Sequence, residues 1–121
     1  MWRVLCLGLT GIVGVLSAFG CSSDKEAMQA TCPVQVHATC PDASLSYAVG
    51  IGEALKVACS PCHAPGGIES TVPLMSYSQS KMRTTSIVGQ LVTCSMPPAG
   101  SPLSLADRQA IVDWITCGAP P

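Results

Sequence analysis

The chain reads as an all-α domain of three to four short helices, and three features of the sequence say so. Tyr47, Ile51, Leu55 and Ala58 recur every three or four positions, the spacing that gathers side chains on one helical face. Near the other end, Leu105, Ile111, Trp114 and Ile115 form a second apolar stripe behind Ser104 and Asp107, which are spaced as a capping box. The chain is also strand-poor and shows no βαβ pattern.

At 121 residues the chain is long enough for one small domain, and its formal net charge of −1 gives no strong field for nucleic acid or an anionic surface. Arg3 is the only charge before Asp24, and residues 4–23 are rich in Leu, Val and Gly. A positive start followed by an apolar run is the pattern of an export signal, taken here as residues 1–20. An uncleaved membrane anchor is the alternative, since about 20 uncharged residues just span a bilayer. The end of the run, Ala18-Phe19-Gly20-Cys21, resembles the lipobox of bacterial lipoproteins. That resemblance implies cleavage before Cys21, a lipid on its sulfur and a mature protein on the periplasmic face of a membrane, the outer membrane included. Ordinary signal cleavage near Gly20 is the competing outcome.

Residues 21–44 are polar, carry Pro33, Pro41 and Asp42 and lack helical periodicity, so they read as a tether. His37 within it reads as a solvated loop histidine. The domain proper covers residues 45–121. Its first helix begins near Leu45 and runs to His63, where Pro65, Gly66 and Gly67 stop it. Gly50 and Gly52 weaken this helix by up to about 1 kcal/mol each, and close packing across them would explain their presence. A second helix is expected over residues 76–92 with Tyr77, Met82, Ile87, Val88 and Leu91 inward, although Thr84-Thr85 and Gly89 work against it. Met75 and Met82 read as core filler. Met96-Pro97-Pro98 cannot be helical, and the two prolines hold a stiff, extended backbone that presents the Met96 thioether to whatever lies opposite. The last helix follows Ser104 and stops at Gly118 and Pro120.

The chemistry concentrates in Cys59-Ser60-Pro61-Cys62-His63. C-x-x-C-H is the pattern in which two cysteine sulfurs add to the vinyl groups of a haem and the histidine ligates its iron. On a helix, Cys59 and Cys62 share a face and reach one edge of a flat macrocycle. C-x-x-C alone also serves dithiol redox sites and zinc sites. A ligating His63 should donate its other ring N–H to a backbone carbonyl, which fixes the ring.

Eight cysteines are present. Cys6 leaves with the signal, Cys21 takes lipid, and Cys59 and Cys62 take haem; Cys32, Cys40, Cys94 and Cys117 remain, and an oxidising compartment favours their pairing. Proximity in sequence suggests Cys32 with Cys40 and Cys94 with Cys117, worth about 2.6 and about 3.4 kcal/mol by loop closure. The other two connectivities, and four free buried thiols, stay open.

Met96-Pro97-Pro98 lies 33 residues after His63 and is followed by a terminal helix ending Trp114-Ile115-Thr116-Cys117-Gly118-Ala119-Pro120. With the C-x-x-C-H motif, these segments resemble the small monohaem c-type cytochromes exported by bacteria, over residues 45–121. The resemblance implies a few helices wrapped around one covalently bound haem c, the first and last crossing. It also implies thioether links from Cys59 and Cys62 and His63 and Met96 as axial ligands of the iron; Cys94 and Cys117 depart from the pattern as extra cysteines. The function it implies is transfer of one electron between exported or membrane-associated redox partners, met by transient contact, with membrane attachment through lipid. Enzymatic activity and nucleic-acid binding are not expected. Composition agrees: beyond the signal the aromatics are Tyr47, Tyr77 and Trp114, a thin core that a haem would complete. The rivals are a thiol-disulfide oxidoreductase, a cofactor-free disulfide-stapled structural or binding lipoprotein, and a haem protein whose distal site is open.

Overall fold

The computed structural model describes residues 32–121. The expected export signal, Cys6 and the lipid-acceptor Cys21 therefore lie outside the described residues. Four helices follow in order, α1 (Ile51–His63), α2 (Tyr77–Lys81), α3 (Thr84–Val92) and α4 (Leu105–Thr116). Among the described residues there is no strand, only an isolated bridge between Ser46 and Gly50. Helix α4 is the hub: α1 and α3 both pack on it and scarcely touch each other. Its Ile111, Val112 and Trp114 are fully enclosed, with Leu55 of α1 against them.

Ile51, Leu55 and Ala58 are the buried face of α1, as their spacing predicts. The helix starts six residues later than expected, however. Gly50 caps it with φ 90°, a conformation outside the helix that L side chains rarely adopt. Tyr47 stays in the preceding turn, where its carbonyl accepts from the Gly52 N–H at 2.9 Å. A Cβ on Gly52 would meet the Tyr47 ring at 2.7 Å, so the close packing expected across these glycines is real at Gly52. Pro61 inside α1 leaves the Val57 carbonyl without its helical donor, and Val57 lies on the exposed side where water can replace it.

The expected helix over residues 76–92 is two helices. Arg83, at φ −117° and ψ 14°, leaves helical geometry, and its N–H turns back to the Ser80 carbonyl at 3.0 Å. The stiff pair Thr84-Thr85 then begins a new helix. The break carries Met82 outward, 77 % exposed, so it is not core filler; Ile87 and Leu91 are buried as expected.

Ser104 caps α4 by accepting from the Asp107 N–H at 3.0 Å, while its hydroxyl donates to the Asp107 carboxylate at 2.7 Å. Leu105, expected inward, is 56 % exposed. Arg108 is buried in its stead, because the inward face of α4 runs through 108, 111, 112 and 114. Beyond α4 the tail folds back on Trp114: its indole N–H donates to the Pro120 carbonyl at 2.7 Å, and Tyr77 donates its hydroxyl to Ala119 at 3.0 Å. Tyr47 packs beside both rings, 5.4 Å from Tyr77 and 6.0 Å from Trp114.

Residues 32–44 have no helix, yet they form a strap laid along α4. Gln35 and Gln109 exchange two hydrogen bonds at 2.9 and 2.8 Å, and His37 meets Asp113 at 2.9 Å. Disulfides fasten both ends, Cys32 to Cys94 and Cys40 to Cys117. Residues 109, 113 and 117 follow at helical intervals of four, so one face of α4 receives residues 35, 37 and 40 in turn. The pairing of Cys32 with Cys40 and of Cys94 with Cys117 is thereby overturned: α4 holds the ends of the strap apart. His37 is an exposed loop histidine as expected, and its ring also meets Asp113 of α4.

Candidate functional site

Where α1 and α3 diverge over α4, a cavity of about 320 Å³ opens. Its walls are mainly apolar, from Leu55, Ala58, Leu74, Ile87, Leu91, Leu103 and Ile111. Cys59, Cys62, His63, Met96, Pro97 and Pro98 line the same cavity. The structure thus brings together residues from the end of α1 and from the loop after α3, which are far apart in sequence.

The His63 ring is fixed from behind. Past α1 the chain returns through Glu69, whose N–H donates to the Cys62 carbonyl at 2.9 Å, a group left free by the end of the helix. That return places the Val72 carbonyl 2.7 Å from His63 Nδ1. A carbonyl only accepts, so Nδ1 carries the proton and Nε2 keeps the lone pair a metal requires.

Met96 is held on three sides. The N–H groups of Ser95 and Met96 both donate to the Gln90 carbonyl, at 3.1 and 3.3 Å. The Cys32–Cys94 disulfide anchors the chain two residues earlier. From α4, the Arg108 guanidinium donates to the Met96 carbonyl and, at 3.3 Å, to that of Pro97. The Met96 side chain remains 45 % exposed.

Among the described cysteines only Cys59 and Cys62 are unpaired. Burial pushes the Cys59 thiol up, against the smaller opposing pull of the Arg108 charge. A dithiol redox site works the other way: its attacking sulfur sits at a helix N-terminus with a depressed pKa, whereas Cys59 lies in the second half of α1. No group of three or more His, Cys, Asp or Glu among the described residues could hold a metal ion.

The cavity also has a polar border that the sequence did not announce, comprising Glu69, Arg83, Ser86 and Gln90. Arg83, Ser86 and Gln90 are spaced to share a side of α3. The buried Nε of Arg83 and that of Arg108 have no partner. No described helix is long and apolar enough to cross a membrane. Comparison with family models, with curated proteins and with solved structures gives no match to this chain.

Proposed function

We propose that this chain is a one-electron carrier with a single covalently attached haem, a c-type cytochrome domain of the kind its sequence resembles. The observation that carries this reading is the convergence of Cys59, Cys62, His63 and Met96 on one apolar cavity, while the other described cysteines are consumed in disulfides. The donor set suits the group. Cys59 and Cys62, two unpaired thiols three residues apart, would hold the group through thioethers, each S–H adding across a vinyl group with its hydrogen going to the neighbouring carbon, so that no oxidant would be needed. His63 offers an imidazole already in the metal-binding tautomer, and Met96 offers a soft thioether from a separate element. A haem held there supplies reversible exchange of one electron between ferric and ferrous iron. His63 and Met96 are the residues that would hold the iron, and with both engaged no position would remain for oxygen or peroxide. Leu55, Leu74, Ile87, Leu91 and Ile111 line the cavity with apolar groups, surroundings that would disfavour the more charged ferric state. Lipid on Cys21 would hold the domain at the periplasmic face of a membrane, where redox proteins meet it through small, transient contacts.

The test is production of the full chain in a host with haem-attachment machinery. The expected product is coloured, keeps its haem on a denaturing gel and has the mass of the chain plus one haem. Replacing Met96 by alanine abolishes the weak far-red sulfur-to-iron charge-transfer band and admits carbon monoxide. Folded, colourless protein with the mass of the bare chain would falsify the reading and leave a disulfide-stapled binding lipoprotein in its place.

A further inference from the structure

Arg108 is only 6 % exposed, on the inward face of α4 between Cys59 and the Met96-Pro97 segment. Its charge is felt at Cys59. Among the described residues the one ion pair is His37–Asp113, so no described carboxylate is in direct contact with this guanidinium. Its hydrogen bonds go to the Met96 and Pro97 carbonyls, and its Nε is unpartnered. Burying a cation without a counter-charge is costly, and an apolar side chain there would fill the same space at no such cost. Two carbonyls on consecutive residues match the planar fork of a guanidinium and not the point charge of a lysine.

We infer that Arg108 is a positioning residue for the metal site, clamping the Met96-Pro97 backbone so that the thioether is presented to the cavity, and that its unneutralised charge raises the reduction potential there. The inference rests on the proposed haem reading. The sign follows from charge: the oxidised site carries one more positive charge than the reduced one, so a fixed cation behind the cavity wall repels the oxidised form more.

The experiment uses the full, haem-loaded chain with Arg108→Gln, which removes charge but keeps N–H donors, and Arg108→Lys, which keeps charge but loses the fork. Three readouts are taken: midpoint potential, the far-red charge-transfer band as temperature rises, and carbon monoxide binding. The Gln variant is expected to have a lowered potential, and the Lys variant to keep most of the wild-type potential. Both should lose the band at lower temperature than wild type and bind carbon monoxide more readily. Variants that melt earlier yet keep the wild-type potential and band until they unfold reduce Arg108 to a structural residue and overturn the proposal. Should the Gln variant fail to fold, the Lys variant decides alone through its band. Wild-type protein with haem but no charge-transfer band fails at the Met96 assignment instead, a result distinguishable from the failure of Arg108.

Discussion

The surroundings of Cys59 bear directly on the reactivity of its sulfur. In the haem-free chain its thiol is held above its ordinary pKa by burial, so it is a poor thiolate and reacts slowly with alkylating agents until the pH is well into the alkaline range. A raised folded-state pKa has a stability consequence. The contribution is present in full below the pKa of the unfolded thiol and is lost as pH climbs through the higher folded value. Urea unfolding of the haem-free chain should therefore weaken at alkaline pH in wild type and weaken less in Cys59→Ser; equal weakening would contradict the assignment. At this scale the sequence led to a backbone carbonyl behind His63, and the structure places that of Val72 there. Arg108 was illegible. One position after a capping aspartate, in the first turn of a helix, it looks like any solvated charge, and only the long-range fold shows that the Met96 loop closes over it.

Among the elements, α4 was read best because its signals are confined to a few neighbouring residues. Ser104 and Asp107 cap it as their spacing says, although the carboxylate takes the serine hydroxyl rather than the backbone N–H that a full capping box supplies. Ser104→Ala should cost about 1 kcal/mol, which in a domain of this size lowers the melting temperature by about 4–8 °C. A calorimetric scan with no shift would mean that the cap contributes nothing. The boundaries of the other helices were set by contacts that no local pattern carries. The start of α1 is fixed by the Tyr47 ring over Gly52, and Tyr47 is itself placed by its N–H bond to the Pro120 carbonyl at 3.1 Å. The break between α2 and α3 is written in Thr84-Thr85, but only as a weakness. Whether a helix bends, ends or survives there depends on the tail above it, where Lys81 and Tyr77 seek the Ala119 carbonyl.

For the whole molecule, an all-α fold was legible, and the disulfides were not. Closeness in sequence favours short loops, while the folded strap selects pairs separated by 62 and 77 residues. By loop closure each such link contributes about 4 kcal/mol alone, and because the two loops overlap the values do not add. The two bonds should nevertheless differ in what they protect. Replacing Cys32 and Cys94 together by serine lowers the urea midpoint and also weakens the charge-transfer band, since Cys94 sits two residues from Met96. Replacing Cys40 and Cys117 lowers the midpoint and spares the band. A peptide map of unreduced protein that links Cys32 to Cys40 would discard this scheme.

The strap has one more implication. Because Cys32 is fastened to the end of α3, whatever precedes it departs from a fixed point on the surface. Cys21 lies eleven residues upstream, a leash of at most about 40 Å when pulled straight. If acyl chains seat that cysteine in a bilayer, as we propose, the domain hovers no farther from the lipid than roughly its own width. An electron carrier tethered in this way would reach only acceptors that share its membrane or that come down to meet it.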